Sequence, residues 1–323
     1  MAEYYLEFEK PIEELEKQIE KLQQSAVINE EIKQQILELQ ERCKNLKKEI
    51  YANLTPAQKV LIARHPQRPY SKDYIMNIFT NFVELHGDRC FGDDKSTLCG
   101  FGELKIDSEK NIVCALIGHQ KGRTLEENLT FNFGMSHPEG YRKALRVMKL
   151  AERFCMPVIT FIDTPGAYPG IGAEERGQAE AIAKNLYEMS QITVPIICII
   201  IGEGGSGGAL GIGVGDRILM LENAYYSVIS PEGCASILFR DASRWQEAAE
   251  ALKLTARDLF DLGIIDEIIP EPPGGAHKDV NFAIESVKKS IIKNLMELLE
   301  INKKDLLKQR YKKYRKIGKF KIL

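Results

Sequence analysis

The chain has 323 residues, 44% hydrophobic and 28% charged, with 44 Lys and Arg against 46 Asp and Glu and a formal net charge of −2. That content is ample for a core and excludes wholesale disorder, and the near-neutral balance excludes a generic polyanion binder. The longest apolar run, 194–201, contains Pro195 and falls far short of the roughly 20 residues of a membrane span; the acidic start lacks the basic and apolar regions of a secretory leader, so a soluble, cytoplasmic chain is expected.

Ile12, Leu15, Ile19 and Leu22, then Ile32, Ile36, Leu39, Cys43, Leu46 and Ile50, recur at helical spacing and predict two helices over 11–52, an antiparallel arm packed on the main body or on a partner. A Pro-punctuated loop at 65–70 precedes a predicted helix from Ser71, read as its N-cap, to about His86. Strands are expected at 100–106 and 112–118 around the polar turn Asp107-Ser108-Glu109-Lys110-Asn111. A helix at 138–154, a strand at 158–162, a helix at 173–190 and an unalternating strand at 196–201 follow. Strands at 218–221 and 225–229, helices at 231–239, 243–252 and 255–261, a short strand at 264–269 and a helix at 278–299 complete the pattern, with a further helix in the tail. Alternating strands and helices argue an α/β fold with parallel pairing. The cysteines (Cys43, Cys90, Cys99, Cys114, Cys155, Cys198 and Cys234) are odd in number and form no C-x-x-C pair, which argues against a disulfide framework and against a zinc ribbon or other metal site.

The richest segment is Gly202-Glu203-Gly204-Gly205-Ser206-Gly207-Gly208, read as a turn between a buried strand and a short helix. Glycine lets a ligand approach bare main chain, and N–H groups at a helix start are unpaired donors. Close helix–strand packing without a ligand is the ordinary alternative. Three chemical templates fit. Gly202-x-Gly204-x-x-Gly207 with Glu222 matches a dinucleotide fingerprint. Gly204-x-Ser206-x-Gly208 followed by Asp266 and His277 matches a hydrolase nucleophile and triad order. The third is an oxyanion hole of main-chain donors, supported by a second glycine loop, Asp163-Thr164-Pro165-Gly166-Ala167-Tyr168-Pro169-Gly170-Ile171-Gly172, after another buried strand. No Gly-Lys-Ser/Thr follows, so a phosphate-binding P-loop is excluded.

Residues 157–183, PVITFIDTPGAYPGIGAEERGQAEAIA, and 202–236, GEGGSGGALGIGVGDRILMLENAYYSVISPEGCAS, resemble the alpha subunits of bacterial and plastid acetyl-CoA carboxylase carboxyltransferase. ARHPQRPY at 63–70, GHQKGR at 118–123, PEGYRKALR at 138–146 and EPPGGAH at 271–277 fit in the same order, and the resemblance runs from the helical arm to Tyr311. Ser136-His137 and Gly211 depart from the family pattern.

The resemblance implies a crotonase-like ββα spiral with an arm at 1–52, a carboxyltransferase domain at 53–299 and a basic helical tail at 300–323. It implies transfer of CO₂ from carboxybiotin on a biotin carrier protein to acetyl-CoA, giving malonyl-CoA for fatty acid biosynthesis. It implies an α2β2 heterotetramer with a beta subunit that bears zinc, working with the biotin carboxyl carrier protein and biotin carboxylase in the cytoplasm or the plastid stroma. This chain itself is expected to bind no cofactor. By the same resemblance Gly207 and Gly208 are the oxyanion donors toward biotin, with Gly204 and Gly205 as the alternative pair and Gly166 and Ala167 on the opposite side. Lys121, Arg123 and Arg142 are expected contacts for CoA phosphates or the carrier, with solvated surface charge as the alternative. His65 and Arg68 are expected to be structural. The tail carries ten basic residues over 303–321 interleaved with Tyr311, Tyr314 and Phe320, a stripe for nucleic acid or the CoA nucleotide, or simply a solvated helix. A serine hydrolase and a non-catalytic acyl-CoA or nucleic-acid binding module remain the competing readings. Gly208→Ala, which keeps the N–H, is expected to cost less than Gly208→Pro, unless the position needs a positive φ or a close biotin contact.

Overall fold

The helical spacing at the start of the chain produces α1 (Lys10–Gln23) and α2 (Glu30–Ala52). They run antiparallel, because Glu9 meets Tyr51 while Glu16 meets Lys47. Ile12, Leu15, Ile19 and Cys43 bury against one another in a small cluster separate from the main core. The computed structural model describes residues 4–24, 30–108 and 110–318; Glu109 of the polar turn and Lys319, Phe320 and Lys321 of the basic stripe lie outside the described residues.

Thr55 and Gln58 form a capping box that starts α3 (Pro56–Ala63). The expected long helix from Ser71 to His86 is instead α4 (Ser71–Ile78) followed directly by β1 (Phe79–Glu84). Ile75, Ile78, Phe79 and Phe82 fit a helical period, but tertiary pairing with the next strand decides the outcome. Tyr70, not Ser71, occupies the N-cap; the Ser71 hydroxyl donates to the His119 carbonyl at 2.6 Å. The expected hairpin is β2 (Thr97–Lys105) and β3 (Asn111–His119), in unbroken antiparallel register from Thr97↔His119 to Lys105↔Asn111.

After α5 (Leu125–Thr130), α6 (Pro138–Arg153) packs on β2 and β3. β4 (Val158–Thr164) is buried at every residue, as an unalternating apolar run should be. The helix expected at 173–190 is two helices, α7 (Ile171–Glu175) and α8 (Gln178–Gln191), because Gly177 adopts φ 83° between them. β5 (Ile196–Gly205) is longer than expected: its strand pairing continues through the first glycines, and the turn begins only at α9 (Ser206–Leu210). Then come β6 (Arg217–Leu221), β7 (Tyr225–Ser227), α10 (Pro231–Phe239), α11 (Trp245–Leu252), α12 (Ala256–Asp261), β8 (Glu267–Ile269), α13 (Val280–Leu299) and α14 (Lys303–Lys316).

The eight strands form one mixed sheet in the order β1-β2-β3-β4-β5-β6-β8, with β7 pairing the end of β5. β1, β2 and β3 are antiparallel and the others parallel. The main core spans the sheet and its covering helices and reaches Leu306 of α14. β4 and β5 therefore sit centrally, and the chain leaves both at the same end of the sheet, where the two glycine loops begin.

Candidate functional site

The β4–β5 ladder holds register from Val158↔Ile196 to Ile162↔Ile200 and then slips, so that Thr164 pairs with Gly204. Two extra residues on β5, Gly202 and Glu203, bulge at this step. The Asp163 carboxylate fills the bulge, with Oδ1 accepting from the Glu203 N–H at 2.9 Å. A Cβ on Gly202 would stand 2.5 Å from that same oxygen, so glycine is required there.

Beyond the slip the two loops meet, as the oxyanion reading expects. A Cβ on Gly208 would lie 2.4 Å from the Gly166 carbonyl carbon and 2.5 Å from the Ala167 nitrogen. Gly166 holds φ 156°, a conformation L side chains rarely adopt. Gly207 and Gly208 are the second and third residues of α9, where N–H groups have no intrahelical acceptor, and its N-cap Gly205 offers no side chain to take them. Opposite, the Gly166 N–H is engaged by the Thr164 hydroxyl at 3.1 Å, whereas the Ala167 N–H has no partner among the described residues. Gly204 and Gly205 belong to β5 and pair with Tyr226 and Ser227 of β7. The geometry thus leaves Gly207, Gly208 and Ala167 as the open donors and commits Gly166, Gly204 and Gly205 to shaping the backbone. Beside Gly207 lies a mainly apolar cavity of about 360 Å³ walled by Leu210, Tyr226, Val228, Leu259 and Ile264. A larger groove of about 490 Å³ lies between α1 and α2 and holds none of these residues.

The three expected anion contacts are each already paired with acids. The Lys121 ammonium is buried between Asp163 Oδ1 at 2.7 Å and Glu203 Oε1 at 2.8 Å, so its charge is already committed. Those two carboxylates raise the Lys121 pKa against the opposing effect of burial. Burial alone would push Glu203 up, but Lys121 and Arg64 overcome it and hold it down at about 2. Burial keeps Asp163 above its ordinary value in spite of Lys121. The network continues outward: Arg64 pairs with Glu203 at 2.7 Å and with Glu232 of α10 at 2.6 Å, and the Tyr225 hydroxyl donates to Glu203 at 2.6 Å. Arg123 pairs with Asp73 at 2.6 Å and lies over the Tyr70 ring. Arg142 joins Asp88 at 2.7 Å and Glu139 at 2.9 Å and donates to the Arg176 carbonyl. Asp163 and Glu203 are the buried charges that motif matching overlooks; their signal is a single acid near the end of each otherwise apolar buried strand.

The competing templates do not assemble. Ser206 has φ 53°, the left-handed turn a nucleophile would want. Yet Asp266 pairs with Lys313 and accepts from the Ile218 N–H, while His277 stacks on His65 with ring centroids 3.7 Å apart. Burial lowers the His277 pKa to about 3, and neither ring nitrogen has a partner among the described residues. Arg68 and Glu271 form a buried pair at 2.5 Å, and His65 is buried with Nε2 at 3.1 Å from the Tyr4 carbonyl. The dinucleotide reading fails because Gly202 and Gly204 are strand residues and α9 spans only five residues. Ser206→Ala is therefore expected to stay within about tenfold of wild-type turnover, and His277→Ala likewise, whereas loss of a true nucleophile or base costs several orders of magnitude. Losses on that scale in both variants, or labelling of Ser206 by a fluorophosphonate, would restore the hydrolase reading.

Known proteins match nearly the whole chain. A model of the acetyl co-enzyme A carboxylase carboxyltransferase-like family matches residues 5–318. The acetyl-coenzyme A carboxylase carboxyl transferase subunit alpha of Geobacter metallireducens is 55% identical over 319 residues, covering 99% of each chain. That of Coxiella burnetii is 56% identical over 316 residues, covering 98% of each. Among solved structures, transcarboxylase 12S superposes with a TM-score of 0.57 at 18% identity, over 72% of this chain and 42% of that one. A Pseudomonas malonate decarboxylase hetero-tetramer in complex with coenzyme A gives a TM-score of 0.59 at 13% identity, over 75% and 92%. These structural likenesses are of fold, the crotonase-like α/β arrangement expected above.

Proposed function

The chain belongs to the family of acetyl-CoA carboxylase carboxyltransferase alpha subunits, biotin-dependent carboxyltransferases, and from that premise we propose that it supplies the biotin half of a site shared with a beta subunit. The observation that carries the reading is the contact between the two glycine loops at Gly208 and Gly166–Ala167, which brings open N–H donors together from two sides.

Carboxybiotin is a substrate here, delivered on a carrier protein. As its N1–carboxyl bond breaks, CO₂ is released and negative charge moves onto the ureido oxygen and N1. Gly207 and Gly208, with Ala167 opposite, donate to that oxygen. N1 takes the α-proton of acetyl-CoA, and the enolate carbon attacks CO₂ to give malonyl-CoA and neutral biotin. The substrate provides its own base, so this chain needs donors and positioning rather than a triad. The apolar cavity beside Gly207 suits the biotin ring system. Arg123, the most exposed of the three expected cations, is the one placed to meet an incoming CoA or carrier. No group of three or more His, Cys, Asp or Glu suited to a metal occurs among the described residues; the zinc of this reading belongs to the beta subunit.

The same reading assigns residues 1–52 to a helical arm, 53–299 to the carboxyltransferase domain and 300–323 to a basic helical tail. It assembles the chain as α2β2 with the carrier protein and biotin carboxylase as further partners. No described helix is long and apolar enough to cross a membrane. The Geobacter and Coxiella relatives are bacterial, which favours a cytoplasmic site over the plastid stroma.

The test is malonyl-CoA formation from carboxybiotin and acetyl-CoA by this chain with and without a beta subunit. Activity is expected only with both. Robust synthesis by the single purified chain would sink the shared-site reading.

A further inference from the structure

The hydrogen-bond ladder between β4 and β5 is interrupted at the base of the two glycine loops. It slips after Ile162↔Ile200 and resumes at Thr164↔Gly204, just where the loops begin. Side chains span the gap. Asp163, on β4, caps the Glu203 N–H, and Lys121, which follows β3, holds Asp163 and Glu203 together through one ammonium. All three are buried: Lys121 is 9% exposed, Asp163 2% and Glu203 6%. The Lys121 chain is itself fixed, because Gly134 lies so close that a Cβ there would meet Lys121 Cγ at 2.8 Å.

Without that ammonium, two carboxylates would face each other in a dry interior and push β4 and β5 apart at the base of the loops. Among the described residues Asp163 has no other ion pair, only the more remote charge of Arg68, whereas Glu203 keeps Arg64 and the Tyr225 hydroxyl. We propose that Lys121 is a positioning residue for carboxyl transfer: by neutralising Asp163 and Glu203 together it sets the separation of the loops that carry Ala167 and Gly208. It touches no substrate in this role. The inference rests on the oxyanion reading of those loops, and it replaces the expected role of Lys121 as an anion contact.

The experiment uses the assembled enzyme with its beta subunit and compares Lys121→Met, Lys121→Arg, Lys121→Met/Asp163→Asn and Gly208→Pro. Misplacement of reacting groups by about 1 Å can cost about 10²-fold, so Lys121→Met is expected to lose turnover on that scale with little change in the KM for acetyl-CoA. The loss should shrink as pH falls, because one carboxyl then takes up a proton and the repulsion ends. Lys121→Arg should recover part of it. The double variant removes one charge of each sign and keeps an Oδ1 acceptor for the Glu203 N–H, so it should return to within about tenfold of wild type.

Lys121→Met turning over like wild type overturns the proposal, as does a loss independent of pH and shared equally by the arginine variant. If Lys121→Met does not assemble, the double variant decides: turnover within about tenfold supports the proposal, and failure to assemble or turnover below about a hundredth overturns it. Gly208→Pro separates this from the underlying reading. If that variant assembles and is fully active, the oxyanion assignment itself is wrong; if it is inactive while Lys121→Met is active, only the positioning role falls.

Discussion

Gly208→Ala is expected to reduce turnover by about 10²–10³-fold in assembled enzyme, the scale of one lost oxyanion donor, while Gly207→Ala stays within a few fold. The two residues are adjacent, and both substitutions keep the backbone N–H. They differ in what a methyl group would meet. At Gly208 it would stand 2.4 Å from the carbonyl carbon of Gly166 and 2.5 Å from the nitrogen of Ala167, and neither can rotate away because both are backbone. At Gly207 the nearest atoms belong to the Ile182 side chain, at 3.8 Å. This reverses the expectation from sequence that alanine at 208 should be milder than proline because it retains the donor. Alanine spreads the loops and proline removes the donor, and the two should converge on similar losses. The measurement is malonyl-CoA formation with saturating carboxybiotin, after confirming assembly. A fully active Gly208→Ala enzyme would show that the loops separate without harm and do not share one oxyanion.

Arg310→Met is expected to destabilise the protein by about 3–5 kcal/mol, the usual cost of removing one partner from a buried ion pair. The Arg310 guanidinium is buried in the heart of the α14 docking face. It donates to Asp216 Oδ1 at 2.8 Å and Oδ2 at 2.6 Å, and to the carbonyls of Met189, Ile192 and Val194 at 2.6–3.0 Å. Removing it strands a buried carboxylate and leaves three carbonyls at the end of α8 unpaired at once. For a protein of this size the melting temperature should fall by roughly 4–7 °C. Exposed Lys308 on the same helix is the comparison: Lys308→Ala should change stability by less than about 0.5 kcal/mol. Melting of Arg310→Met within two or three degrees of wild type would mean that the pair adds little beyond its own desolvation cost.

The tail shows where sequence reading stops. Its basic residues look alike in one dimension, and nothing in their spacing marks Arg310 as buried while Lys308 and Lys312 face solvent. The partner that buries Arg310 is Asp216, 94 positions earlier. Long-range pairing also explains the missed strand β1, since Phe79 and Phe82 suit a helix face as well as a strand edge until β2 is beside them. The glycine loops were legible for the opposite reason. Each sits directly after an apolar strand, and parallel strands place their ends together, so meeting at one spot follows from local pattern and topology. Which N–H groups stay open was not legible, because that depends on the Thr164 hydroxyl and on the continuation of β5 to Gly205. Lys121 fell to the same limit: a lysine beside Gly-Arg reads as surface charge until the two acids that enclose it are brought in from other strands.

β1 forms one open border of the sheet, and its irregularity bears on solubility rather than on catalysis. A regular border strand offers a row of free N–H and carbonyl groups to any other chain, the starting point for edge-to-edge aggregation. Here the pairing with β2 shifts between Thr80 and Val83, Asn81 adopts φ 53°, and its amide turns back to Glu103 at 3.2 Å. The border is therefore kinked after two residues and ends in Glu84, so an incoming strand meets no flat template. At the opposite border β8 is only three residues long and carries Glu267, bound by Ser290, Lys293 and Asn294 of α13. A broad, strongly apolar sheet is thus left with two borders that resist recruitment of further strands.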